Sequence, residues 1–175
     1  MGRSDNYKID IIERTTEIIK SEYKSFKKRD REVTFLMNCL LGTIVSISEN
    51  ENLKADKFKG KKIDSYFLKL IPKKFGFLSE YKNKETLTDQ RVKKKYVAIK
   101  HRKDLVGKYD KFWFLNKIRN GIAHQNIESI NDGKNWVGVK IWNSNKTIGI
   151  DFEIEFTINQ LKIFIEEIAK IYLKN

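Results

Sequence analysis

Residues 32–48 read EVTFLMNCLLGTIVSIS, an apolar run that decides the expected fold. The run is too short to span a bilayer, which needs about 18 or more consecutive apolar residues. A helix that is apolar almost all round is typical of the centre of a helical protein. We therefore expect a buried central helix. Within it Cys39, the single cysteine, behaves as a small hydrophobe, and Asn38 needs an internal hydrogen-bond partner.

Helical periodicity extends outward from this run in both directions. Residues 7–28 and 109–122 each place apolar side chains on one face, and Pro72 ends a short helix over 63–71. The string TINQ at 157–160 is a capping box that begins a last helix. The predicted inner faces are Ile9, Ile12, Thr16, Ile19, Tyr23 and Phe26 in the first helix, Phe112, Leu115, Ile118 and Ile122 in the later one, and Ile158, Leu161, Ile165, Ile168 and Tyr172 in the last.

The spacing of apolar residues changes between the last two predicted helices. Residues 136–142 (WVGVKIW) and 148–156 (IGIDFEIEF) alternate with the period of a strand, and turn-forming residues separate them. Residues 126–130 add a third candidate strand. The predicted fold is mainly α, an up-and-down helical bundle with a small antiparallel β-hairpin or sheet inserted before the C-terminal helix. We expect one domain over 1–175, with the β-insert at about 126–156.

Positive charge is concentrated in one part of the chain. The net charge is +13, and residues 57–111 hold 18 of the 36 Lys and Arg residues but only 6 of the 23 Asp and Glu residues. A genome-wide lysine bias would raise the charge of every segment, whereas the excess here lies in this basic segment. A localised basic surface favours a polyanionic partner, because neutralised phosphates release counterions.

The candidate nucleic-acid-binding residues lie within the basic segment. They are Lys93, Lys94, Lys95, Lys100 and Arg102. His101, in the string KHRK, is expected to be solvated or to contact phosphate rather than to be catalytic. The sequence has no signal peptide and no membrane-spanning run, so we expect a cytoplasmic protein.

The candidate for chemistry is the string IRNGIAHQN at 118–126. On a regular helix Arg119 and His124 point about 140° apart, since five residues advance about 500°. Either the helix ends or distorts near Gly121, or the string cooperates with a second copy of itself across a two-fold dimer. A simpler interpretation is that Asn120 and His124 only terminate the helix, with the histidine near its last carbonyls.

The string R-N-x-x-A-H, formed by Arg119, Asn120 and His124 with Ala123, resembles the signature of HEPN-domain proteins. That resemblance implies a helical bundle. It also implies a metal-independent ribonuclease that acts as a toxin or in antiviral or abortive-infection defence. It further implies a homodimer whose paired signatures form one cleft, RNA as the substrate, and an antitoxin or defence-system protein as a partner. Members controlled by adenylylation carry a tyrosine where this chain has Asn126, which puts that form of control in doubt.

The residue types of the string suit RNA cleavage on their own terms. Histidine moves a proton near neutral pH, and arginine offers a bidentate cation to a phosphate whose charge builds in the transition state. Arg119, His124 and Asn120 are therefore the candidate catalytic residues, with no metal or cofactor. One alternative is a non-catalytic RNA-binding or defence-signalling adaptor of the same fold. Another is an interaction module whose dimer face is the function.

Two other features are candidates for function. Asp151, Glu153 and Glu155 alternate in a predicted strand and should share one face. They would hold Mg²⁺ in a metal-dependent nuclease, although an exposed strand face rich in charge explains them more simply. Trp113 is expected in the core, and the roles of Trp136 and Trp142 in the hairpin stay open.

Overall fold

The computed structural model describes residues 7–48, 57–77, 102–145 and 149–174. These ranges contain helices α1 (Tyr7–Lys27), α2 (Glu32–Ser48), α3 (Ser65–Leu70), α4 (Lys111–Ala123) and α5 (Ile158–Leu173), with a 3₁₀ helix at Arg102–Leu105. The strands are β1 (Phe75–Phe77), β2 (Ile127–Asn131), β3 (Trp136–Asn145) and β4 (Gly149–Thr157). Among these residues no helix is both long and apolar enough to cross a membrane.

The helices begin and end close to where the sequence predicts. Helix α2 has the bounds of the apolar run, and α1, α3, α4 and α5 fall on the other periodic segments. The capping box forms fully: Thr157 Oγ1 accepts from the Gln160 amide at 3.2 Å, and Gln160 Oε1 accepts from the Thr157 amide at 3.0 Å. Local signals therefore decide the α-helices within the described ranges.

Helix α2 is central, as predicted, and it contacts α1, α4 and α5. Cys39 is buried in it, and burial raises the pKa of its thiol to about 11. The expectation for Asn38 is wrong. Its side chain is exposed on the one side of α2 that no described element covers, so it needs no internal partner.

The β-structure is larger than the predicted insert. The four strands form one antiparallel sheet in the order β1-β4-β3-β2, so a strand from the basic segment joins three strands from the region of the predicted insert. The pairing of β1 with β4 joins residues that are about 75 positions apart in sequence. A strand of three residues is too short to show a periodic pattern in the sequence. Strand β1 forms only because it pairs with the distant strand β4.

An up-and-down bundle is not confirmed, because the sheet is a full layer of the core. Helices α4 and α5 pack against β3 and β4 as well as against α2. Aromatic rings fill the junction: the Phe114 and Phe152 ring centroids lie 5.4 Å apart, and those of Phe156 and Phe164 lie 5.3 Å apart. The inner face of the sheet is thus buried by helices on one side.

A β-bulge on β4 overturns the prediction that three carboxylates share a face. Asn143 pairs with Phe152 and Ser144 pairs with Ile150, which leaves Asp151 as the extra residue. An extra residue breaks the two-residue alternation and turns its side chain. Asp151 is consequently buried, at 2% exposure, whereas Glu153 and Glu155 stay on the partly exposed side.

Candidate functional site

Helix α4 carries the candidate catalytic residues and is anchored at both ends. At its start the Asp110 carboxylate accepts a hydrogen bond from the Trp113 amide at 2.6 Å. Near its end Gly121 lies against β3, where a Cβ would come within 2.5 Å of the Trp142 carbonyl oxygen. Only glycine permits this approach of helix backbone to strand backbone. The glycine that looked unfavourable inside a helix is therefore a packing contact.

The helix ends immediately before the histidine. His124 is the C-cap residue, and Gln125 adopts a left-handed conformation with φ 57°. The Asn126 amide donates to the Gly121 carbonyl at 2.9 Å, and the Gln125 amide donates to the Ile122 carbonyl at 3.0 Å. These two bonds are the Schellman pattern of helix termination. Helix α4 therefore continues through Gly121 and ends only at His124, so its termination does not remove the 140° separation between Arg119 and His124.

The three candidate side chains lie at this terminus. Arg119 Nη2 donates to Asn120 Oδ1 at 3.3 Å, so the structure joins these two residues directly. Asn120 and His124 are four residues apart and therefore project about 40° from each other. The bond to Asn120 draws the guanidinium towards the side of α4 on which His124 lies. The His124 side chain is exposed, and no hydrogen bond within the described ranges links it to Arg119 or Asn120.

A buried ion pair supports the same side of α4. Lys117 Nζ contacts Asp151 Oδ2, and Asn143 Nδ2 donates to Asp151 Oδ1 at 2.5 Å. Lys117 lies seven residues before His124 and so projects within about 20° of it. The bulge on β4 thus provides the carboxylate that holds the middle of α4 to the sheet. The regular alternation of side chains along a strand could not predict this contact, because it places Asp151 on the outer face of the sheet, with Glu153 and Glu155.

The other two carboxylates of β4 are also in ion pairs. Glu153 pairs with Lys140 at 3.1 Å, and Glu155 pairs with Lys74 at 2.8 Å. Over the described ranges no cluster of three or more His, Cys, Asp and Glu residues is placed to hold a metal ion. The magnesium hypothesis required Asp151, Glu153 and Glu155 to lie on one face of β4, and they do not.

Of the five predicted nucleic-acid-binding residues, the described ranges include one. Lys93, Lys94, Lys95 and Lys100, together with His101, lie outside the described residues, and Arg102 begins the 3₁₀ helix. A second basic cluster, KKRDR at residues 27–31, lies where α1 ends and the turn leads to α2, and it was not among the predicted binding residues. All five side chains there are exposed. The run is plain in the sequence, but averaging charge over the N-terminal third concealed it.

The three tryptophans differ in burial. Trp113 is partly buried and packs against Tyr109 and Phe77 beside the core, with ring centroids 4.4 and 5.9 Å away. Trp142 is half-buried beside Gly121. Trp136 is 40% exposed at the start of β3.

Comparison with known proteins identifies a protein family. A family model described as HEPN pEK499 p136 matches residues 1–175. No curated protein and no solved structure matches the chain.

Proposed function

Because this chain belongs to the HEPN family described as HEPN pEK499 p136, we propose that it is a metal-independent endoribonuclease with a toxin or antiviral defence role. Membership of the family suggests a nuclease or RNA-related function in general. The observation that carries the finer proposal is the joined pair Arg119–Asn120 beside an exposed His124 at the end of α4.

The proposed reaction uses the 2′-hydroxyl of the RNA. The His124 imidazole accepts the proton as the 2′-oxygen attacks phosphorus, and the Arg119 guanidinium stabilises the charge that builds on the phosphate oxygens. The bond between phosphorus and the 5′-oxygen breaks, and that oxygen takes a proton. The products are a 2′,3′-cyclic phosphate and a 5′-hydroxyl. DNA lacks the nucleophile and is inert.

We place this chemistry in a two-fold homodimer. The backbone directions of Arg119 and His124 diverge by about 140°, and the bond to Asn120 removes only part of that separation. An isologous contact sets the exposed terminus of one α4 opposite that of the other, so the arginine of one subunit and the histidine of its partner flank one phosphodiester. In this arrangement Asn120 orients the guanidinium.

Electrostatics favour RNA as the substrate. The chain has a net charge of +13, and the exposed cations at residues 27–31 add to the basic segment. Lys93, Lys94, Lys95, Lys100 and Arg102 are proposed to hold RNA phosphates. Their replacement should weaken binding and flatten its salt dependence, because fewer counterions are released.

The test is cleavage of labelled RNA in excess EDTA. The natural chain should cut, His124→Ala and Arg119→Ala should not, and the products should carry cyclic phosphate. His101→Ala is the matched control, since it removes the only other imidazole and, at RNA concentrations that saturate binding, should leave cleavage intact. Cleavage that EDTA abolishes, or that His124→Ala retains, would contradict the mechanism.

The second candidate function is an RNA-binding or defence-signalling adaptor without catalysis. One observation favours this alternative. The Schellman hydrogen bonds explain why α4 ends at His124, so the position of this histidine does not require a catalytic role. In the same assay an adaptor would bind RNA equally well in all variants and cut in none.

A further inference from the structure

A second candidate site lies where α2 begins beside the start of β3. A cleft of about 130 Å³ is lined there by Asp30, Glu32, Val33, Lys134, Asn135 and Trp136. The cleft is separate from the α4 terminus. Gly121 contacts β3 at Trp142, six residues beyond Trp136, which is about 20 Å along the strand.

Glu32 in this cleft is a buried carboxylate with an unpaired oxygen. The residue is only 9% exposed, and in the described part of the chain no donor reaches its Oε2 atom. Burial of a charged group without a hydrogen bond costs free energy, and such a group in a folded protein calls for a specific explanation. A ligand that brings N–H donors into the cleft would supply the missing hydrogen bonds.

A second β-bulge brings Trp136 to the cleft. Ile130 pairs with Gly138 and Asn131 pairs with Trp136, so Val137 is the extra residue of β3. This extra residue turns Trp136 towards the side of the sheet on which α2 lies, although strict alternation would point it away. Its partly exposed indole offers a flat apolar surface at the rim, which is the surface on which an unpaired nucleobase stacks.

The surroundings of the carboxylate are cationic. Four exposed cations lie between the end of α1 and Glu32, at Lys27, Lys28, Arg29 and Arg31, and Lys134 lines the cleft, so cations here outnumber the carboxylates of Asp30 and Glu32 five to two. This excess of positive charge disfavours a cationic side chain from a protein partner. A nucleotide has the opposite character, since its phosphate is attracted by the cations while its base presents N–H groups to the carboxylate.

The identity of the base follows from the donors that each base offers. A carboxylate accepts two parallel hydrogen bonds when two donors are adjacent. On its Watson–Crick edge guanine presents N1–H beside the N2 amino group, whereas adenine, cytosine and uracil place an acceptor next to each donor. We propose that this cleft is a guanine-binding subsite for single-stranded RNA, with Glu32 reading the base edge and Trp136 stacking on the ring. This inference rests on the proposed function.

Binding of short labelled RNAs to the His124→Ala chain in EDTA tests the subsite without cleavage. The probes are an adenosine hexamer and the same hexamer with one guanosine, one inosine or one 7-deazaguanosine. Guanosine should tighten binding about 5- to 150-fold, the range of a good bidentate contact between a side chain and a base. Inosine lacks the N2 amino group and should lose most of that gain, while 7-deazaguanosine should retain it.

Substitutions identify the group responsible. Glu32→Gln should abolish the preference for guanosine, whereas Glu13→Gln, which neutralises an exposed carboxylate on α1, should not change it. Trp136→Ala should weaken every probe, because stacking does not discriminate strongly between bases. Equal binding of all four hexamers, or a guanosine preference that survives Glu32→Gln, would overturn the subsite.

The two proposals fail in different ways. If the natural chain cuts long RNA but without dependence on nearby guanosines, the ribonuclease stands and the guanine subsite falls. If the chain binds guanosine selectively through Glu32 but never cuts, the subsite stands and the ribonuclease falls.

Discussion

Replacing Gly121 by alanine tests whether contact with β3 positions the end of α4. The added Cβ would lie 2.5 Å from the Trp142 carbonyl oxygen and 2.8 Å from Ile141 Cγ2, so backbone must move. Overpacking of this kind costs about 1–3 kcal/mol. Alanine is favoured over glycine inside a helix by about 1 kcal/mol. The net effect on the free energy of unfolding should therefore range from none to a loss of about 2 kcal/mol.

Gly42→Ala is the matched control for this substitution. Gly42 also lies within a helix, but nothing is within 4 Å of its added Cβ, so only the propensity gain of about 1 kcal/mol should appear. The difference in the free energy of unfolding between the two variants therefore measures the steric clash at Gly121, which should be about 1–3 kcal/mol. For a chain of this length each kcal/mol of stability shifts Tm by about 2–4 °C, so thermal unfolding followed by circular dichroism can measure the difference.

Activity gives a second readout of the same substitution. Displacing the end of α4 moves Asn120 and His124 together, so Gly121→Ala should lower RNA cleavage well below that of Gly42→Ala at a temperature where both are folded. Two variants of equal stability and equal activity would refute the view that this close approach positions the site.

Two further predictions concern buried groups. Lys117→Ala removes the ion-pair partner of buried Asp151 and should cost about 3 kcal/mol in urea unfolding; the double variant with Asp151→Asn should recover part of this loss, and no recovery would argue against the pair. Cys39, with its pKa raised to about 11 by burial, should react slowly with a thiol reagent at pH 8 until the chain unfolds. Because the folded pKa exceeds the unfolded value, stability should fall as pH rises from about 9 to 11, and rapid labelling of the native chain would contradict the burial.

Much of the candidate site could be predicted because its residues are neighbours in sequence. Arg119, Asn120 and His124 lie on one helical segment, and the angle between them follows from helix geometry alone. The basic turn at residues 27–31 was equally visible, but an average over a long segment hid it. The ion pair of Lys117 could not be predicted, because it depends on a bulge in a strand about 34 residues away.

The sequence by itself determined the α-helices that the structure describes, the three strands of the region before α5 and the capping box, because each depends on contacts within a few residues. Tertiary structure alone decided that Phe75–Phe77 is a strand, that Asp151 and Trp136 turn to the inner side of the sheet, and that Gly121 lies against Trp142. These features arise from pairing between distant segments. A single extra residue in one strand reverses which face a side chain occupies without leaving a periodic signal.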